Sequence, residues 1–282
     1  MAPRIELREF LRSRRARVQP EEVGVPPAAN ARRVPGLRRE EVAQLAGVSV
    51  DYYTRLEQGR DINVSEDVLR AVAKALLLTD DERSHLFDLA QPTRARRRPS
   101  APPVERVRSG VLRLLDSVQA PAFVCGRRTD ILALSPLARA LFTELGERPP
   151  EDRNHARWVF LDPLARQRYP RWEEVARDAV AALRMQAGRY PDDALLAGLV
   201  GELTVRSPEF AELWADHDVL VQTHGVKVYD HPVVGEVTVT YEALPIPDAV
   251  DQTLFVYSTE PGSPSARALD LLASWSLEAA DR

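Results

Sequence analysis

Apolar residues in the first ninety positions recur every three to four residues, the spacing of amphipathic helices. Leu7, Phe10 and Leu11 fall at i, i+3 and i+4 and predict a helix over Glu6–Arg15, with a stripe that needs a partner to cover it. Twenty residues from Val18 to Leu37 then carry Pro20, Pro26, Pro27 and Pro35, too many for a continuous helix and a long stretch for a helix connection. Helical periodicity resumes over Arg39–Ala46 and Val50–Gln58, separated by Gly47, Val48 and Ser49. A fourth helix is expected from the cap Ser65, with Val68, Leu69, Val72, Ala73 and Leu76 on one face. A fifth starts at Thr79, where Glu82 three residues on completes a capping-box pattern that satisfies two orphaned backbone donors.

Gln91–Pro103 interrupts the helices with four prolines and Arg94, Arg96, Arg97 and Arg98, which marks a domain boundary and a linker at 92–104. Beyond it the pattern mixes two periods. A short helix near 104–118 leads to two strand-like runs, Ala122–Cys125 and Ile131–Leu134, joined by Gly126–Asp130. The middle is mainly helical, clearest over Arg171–Gln186, where Trp172, Val175, Ala176, Ala179, Val180 and Leu183 keep helical spacing. Near the end Val237, Val239 and Tyr241 alternate with Thr238, Thr240 and Glu242, Gln252–Ser258 reads as another strand, and Val226–Tyr229 is a candidate third. With a closing helix over Ser265–Trp275, this predicts two domains: an all-α five-helix domain over 1–91, then an α+β domain over 105–282 with helices against one sheet face.

The stretch RREEVAQLAGVSVDYYTRLEQ meets the separate demands of a helix-turn-helix. Ala43 is small where two helices cross, and Gly47 suits a turn that a β-carbon would resist. Val42, Ala46, Val48, Tyr53 and Leu56 sit at core positions, and Ser49 is placed to cap the second helix. An ordinary helical hairpin also wants apolar faces and a glycine, but it does not require so many positions to agree. The segment resembles the Xre and Cro/repressor class of DNA-binding domains. That resemblance implies a second helix in the major groove of double-stranded DNA, with Val50, Asp51 and Arg55 at readout positions and Tyr52 beside them. Arg55 can pair with guanine and Val50 can touch a thymine methyl, while Asp51 either accepts from cytosine or orients Arg55. Arg38 and Arg39 open the first motif helix, where a guanidinium and a helix amino terminus can share a phosphate.

Charge sharpens this assignment. The net charge is −4, but residues 1–100 sum to +4 and the remainder to −8, so the basic part of the chain comes first and includes the helix-turn-helix, a pattern that a nucleic-acid-binding segment and an ordinary solvated arginine-rich face share. A single cysteine, Cys125, allows no intramolecular disulfide, the amino end lacks a signal-type apolar run, and no stretch is long and apolar enough to span a membrane. The expected setting is the cytoplasm.

A second resemblance covers most of the chain. The proline-rich insert ahead of the helix-turn-helix, together with RNHARWVFLDPLARQRYPRWEEVARDAVAALR, SPEFAELWADHDV, HPVVGEVTVTYEAL and DQTLFVYSTEPGSPSARALDLLASW, is similar to the MmyB-like transcription regulators of the Xre family. The resemblance implies a PAS-like second domain that accommodates a fatty-acid-like ligand, and no other cofactor. In that setting Trp158, Phe160, Trp172, Met185 and Trp214 are candidates to line an apolar cavity, with Arg157, His217 or His231 meeting a carboxylate. A filled core with surface ion pairs uses the same residues. Paired half-sites are usual for this motif, so a homodimer on a DNA operator is expected.

Other functions find less support in the residues. His217, His224 and His231 recur every seven positions, but odd spacing along a strand alternates faces, so no metal site is expected. The chain has no G-x-S-x-G, P-loop, H-E-x-x-H or G-x-G-x-x-G, which leaves an enzyme fused to a helix-turn-helix, or an interaction module that never meets DNA, as the alternatives. Arg127 and Arg128 near Cys125 would favour a thiolate and a redox role, against the inert packing usual for a lone thiol.

Overall fold

The structure is a computed structural model that describes residues 3–26, 35–60, 64–91, 105–249 and 251–280, without the side chains of 3 and 276–280. The expected linker at 92–104 and part of the proline-rich insert lie outside the described residues. The chain divides into two compact units. The first comprises residues 1–100, 184–198 and 212–221, and the second comprises 101–183, 199–211 and 222–282.

In the first unit, helices α1 (Pro3–Arg17), α2 (Arg39–Leu45), α3 (Val50–Glu57), α4 (Glu66–Ala75) and α5 (Asp80–Ala90) surround one core. Phe10, Leu11, Leu37, Val42, Ala43, Tyr53, Leu56, Leu69, Val72 and Leu86 are buried there, so the apolar stripes foreseen from spacing cover one another. Ser65 Oγ accepts from the Val68 amide at 3.3 Å, and Thr79 and Glu82 exchange both capping-box hydrogen bonds, at 3.2 and 2.9 Å. The described part of the insert holds a 3-10 turn, Pro20–Val23, and a return at Gly36 and Leu37. Gly36 has φ +68°, and a β-carbon there would fall 2.3 Å from the Arg15 carbonyl oxygen. Only glycine lets the chain approach α1 this closely. The Leu37 amide then donates to Arg15 O at 3.0 Å, and its side chain enters the core.

The second unit is built on a five-stranded antiparallel sheet in the order β2-β1-β5-β4-β3. Strands β1 (Ala122–Cys125) and β2 (Ile131–Leu134) form a hairpin after helix α6 (Ser109–Ser117), and helices α7 (Pro136–Leu141), α8 (Thr143–Gly146), α9 (His155–Leu161), α10 (Ala165–Arg168), α11 (Trp172–Arg189), α12 (Ala194–Arg206) and α13 (Pro208–Ala215) follow. Helices α11, α12 and α13 each cross a division between the units. The sheet is completed by β3 (His224–His231), β4 (Gly235–Pro245) and β5 (Thr253–Ser258), and helix α14 (Pro264–Ala280) closes the chain.

Strand alternation gives the sheet two faces. Val237, Val239, Tyr241, Phe255, Tyr257 and Phe123 lie on one, buried under helices, with Phe142 edge-on to Phe123, Tyr229 and Tyr257 at 5.5–6.1 Å. The other face carries Ala122 and Val124, and α6 packs on it through Leu115. Among the described residues no helix is long and apolar enough to cross a membrane.

Candidate functional site

The helix-turn-helix is α2, a turn and α3. Ala43 is fully buried where the helices cross and Gly47 takes φ +66° in the turn. Ser49 is the N-cap of α3, its Oγ accepting from the Tyr52 amide at 3.1 Å, which leaves the hydroxyl proton free to donate. Buried Tyr53 and Leu56 fix the rotation of α3, so Val50, Asp51 and Arg55 face solvent, with Tyr52 half-buried beside them. Asp51 and Arg55 stand one turn apart but form no ion pair with each other, so the structure does not use Asp51 to hold Arg55 in place. The Arg38 amide donates to the Glu41 carboxylate at 2.7 Å and starts α2.

Sequence reasoning missed what holds α3. Glu57, the last residue of that helix, is buried and takes Arg15 of α1 at 2.7 Å on one oxygen and Arg39 of α2 on the other. Arg39 therefore serves two roles, bracing the motif while its side chain stays 47% exposed. The acidic residue at the end of the motif was the available signal, but its partners lie 42 and 18 residues away in sequence.

The candidate ligand residues fall in two groups. Met185, Trp214 and His217 belong to the first unit. There Arg184, fully buried, pairs with Glu6 at 2.6 Å, donates to the Trp214 carbonyl, lies 4.0 Å from the Trp214 ring centroid and meets His217 Nδ1 at 3.0 Å. Burial first, then Arg184 and Arg14, lower the His217 pKa to about 4, so this histidine is neutral and accepts from Arg184. Arg14 extends the network to Glu82 at 3.0 Å and Asp218 at 3.3 Å.

The second unit holds Arg157, Trp158, Phe160, Trp172 and His231. Arg157 is tied to Glu202 at 2.8 Å near the surface. Trp172 donates to Val159 O at 2.9 Å, with Phe160 edge-on at 5.9 Å and Arg166 3.7 Å above its ring. Trp158 is buried beneath Arg148. His231 spends both ring nitrogens on backbone: Nε2 on Ala140 O at 3.0 Å, and Nδ1 on the Val233 and Val234 amides at 3.2 and 3.3 Å. That arrangement makes it a brace for the β3–β4 turn.

Cys125 is not activated. Burial, Asp130 and Glu105 push its thiol up to about 12, while Arg127 and Arg128 are engaged by Asp251 at 2.5 Å and by Glu105 and Asp130. Those ion pairs occupy the two neighbouring arginines that could have lowered the thiol pKa. Among the described residues no cluster of three or more histidine, cysteine or acidic side chains is arranged for a metal, and His224 and His231 lie on opposite faces of β3.

A braced helix-turn-helix with a solvent-facing second helix, followed along the chain by a sheet-and-helix domain, defines the class: a DNA-binding transcription regulator with a ligand-binding domain. Residues 6–86 match a helix-turn-helix domain, and residues 107–272 match the MmyB-like transcription regulator ligand binding domain. The second match spans more than half of the sequence, and the chain belongs to the MmyB-like transcription regulators. No curated protein matches it.

Proposed function

We propose that the protein is a cytoplasmic, homodimeric regulator that reads a double-stranded operator through α3 and adjusts that binding to an apolar, fatty-acid-like molecule in a PAS-like second domain. The observation that carries the DNA half is the outward face of α3, where Val50, Asp51 and Arg55 are exposed while Tyr53, Leu56 and Glu57 are locked inside. In this reading the DNA-binding domain spans 1–91, the linker 92–104 and the ligand domain 105–282. Arg38, Arg39 and the Ser49 hydroxyl meet phosphates, and Val50, Asp51, Tyr52 and Arg55 meet base edges. Two copies would engage half-sites about 34 Å apart on one face of the duplex.

The ligand half is supported by the match to a ligand-binding family over residues 107–272 and by a five-stranded sheet whose helix-covered face is largely aromatic and apolar. The phosphate and base roles separate experimentally. Anisotropy titrations against a DNA fragment from upstream of the protein's own gene, repeated across salt concentrations, should show Arg55→Ala relaxing the preference at one base pair by about 1–3 kcal/mol. Arg39→Ala should weaken all sequences alike and reduce the salt slope by about one. Absence of salt-dependent binding in the wild type would remove the DNA reading, and identical behaviour of the two variants would remove the division of roles.

A further inference from the structure

Helix α1 presents two adjacent rows of side chains, each spaced at four residues, and the rows meet different parts of the chain. One row is Glu6, Phe10 and Arg14. The buried Glu6 carboxylate takes Arg184 at 2.6 Å, and Phe10 meets His85 of α5 edge-on at 5.1 Å. Arg14, also buried, pairs with Glu82 at 3.0 Å and Asp218 at 3.3 Å and donates to the His217 carbonyl. The other row is Leu7, Leu11 and Arg15. Leu7 and Leu11 enter the core of the first unit, while Arg15 holds Glu57 at 2.7 Å and donates to Leu37 O at 2.8 Å. Arg14 and Arg15 are consecutive, so one peptide unit separates the side chain that grips residues 217 and 218 from the one that grips the end of α3.

Arg184, His217 and Asp218 lie in the stretch that matches the ligand-binding family and outside the helix-turn-helix match at 6–86. Arg184 comes from the last part of α11, and His217 and Asp218 follow α13. His217 takes φ +57°, and in this left-handed turn its carbonyl accepts from Arg14 while its ring meets Arg184. The Val221 amide then donates to Asp81 of α5 at 2.9 Å, which fixes the far end of the segment. Glu6 and Arg14 are enclosed charges. An enclosed charge that loses its partner disfavours the position it occupies far more than an exposed one does. The seat of α1 therefore depends on residues 184 and 218. A shift of α1 moves Arg15, and with it the Glu57 carboxylate that also holds Arg39 at the start of α2.

We infer that Arg184 and Asp218 are positioning residues for DNA binding: through Glu6 and Arg14 they set the seat of α1, and through Arg15 and Glu57 α1 sets the placement of α3. The assignment rests on the reading of α3 as the helix that meets DNA. It gives the ligand-binding stretch a hold on the readout surface that requires no contact with DNA.

Anisotropy titrations of the full chain on the same upstream DNA fragment test it, with a double-mutant cycle between Arg184→Met and Arg55→Ala. Arg184→Met should weaken binding about tenfold and leave the salt slope unchanged, since no phosphate contact is removed. In the Arg55→Ala background the same change should cost about threefold or less, because part of what Arg184 positions is gone. Titration at stoichiometric DNA gives the active fraction of each variant. A purely structural role lowers that fraction and leaves the affinity of the folded molecules, and the additivity of the cycle, untouched. Asp218→Asn, at an exposed carboxylate, should weaken binding about threefold alone and have no effect once Arg55 is alanine, and this second cycle decides if Arg184→Met does not fold. Additive losses, or variants that bind as tightly as the wild type, overturn the coupling and leave the DNA reading standing. A wild type without salt-dependent DNA binding overturns both.

Discussion

His85 shows how a single buried side chain couples this protein to pH. Its ring sits edge-on to Phe10 at 5.1 Å, and the charges that act on it, Arg184, Arg14, His217 and Arg189, are all cationic or become so on protonation. Burial and those neighbours lower its pKa to about 3, so it is neutral in the folded chain. In the unfolded chain a histidine titrates near 6.5, so between about pH 6.5 and 3 only the unfolded state takes up the proton. The stability this residue supports is therefore complete above pH 6.5 and falls as the pH drops through that window, by about 2 kcal/mol at pH 5. Urea midpoints measured at pH 7.5 and pH 5 should fall for the wild type and fall less for His85→Leu. Equal decreases would show that other groups set the acid response.

At the scale of elements, the helix ends are where sequence and structure agree most closely. The caps at Ser49, Ser65 and Thr79 act through atoms three residues away, so local sequence suffices to place them. Thr79→Ala should cost about 1 kcal/mol in chemical denaturation. Gly36→Ala should cost more, because φ +68° and the 2.3 Å approach to Arg15 O both forbid a β-carbon and Leu37 would be drawn from its seat. A smaller loss for Gly36→Ala than for Thr79→Ala would mean that the insert is not held where it meets α1. The strands β1 and β2 were equally legible, because alternation and turn residues bounded them; β3 was foreseen only as Val226–Tyr229 and extends to His231 because pairing with β4 carries it on.

For the molecule as a whole, the compact units do not follow the order of the chain. Arg184, Gly188, Trp214 and His217 lie within the stretch that matches the ligand-binding family, yet they pack with α1 and α5 in the first unit. Gly188 is placed against His85 so closely that a β-carbon would meet the imidazole at 2.5 Å. A fragment ending at residue 91 would keep the whole helix-turn-helix but leave Glu6 without the arginine that neutralises it and His85 uncovered. Amide hydrogen exchange of α1 and α5 should therefore be faster in such a fragment than in the full chain. Equal protection would show that residues 184–198 and 212–221 add nothing to the stability of those helices.

The sequence by itself determined the helix-turn-helix, its caps, the alternating strands and the family, because these depend on spacing over a few residues or on patterns shared along the chain. It also singled out Val50, Asp51 and Arg55, whose outward direction follows from helical period once the core side is known. Only the tertiary structure decided which charges are spent and which are free. Glu57 is claimed by Arg15 and Arg39, Arg184 by Glu6, and the imidazole of His231 by backbone. Ion pairs such as that of Arg17 with Asp218 join residues 201 positions apart in sequence, and no local pattern of residue types records such a meeting.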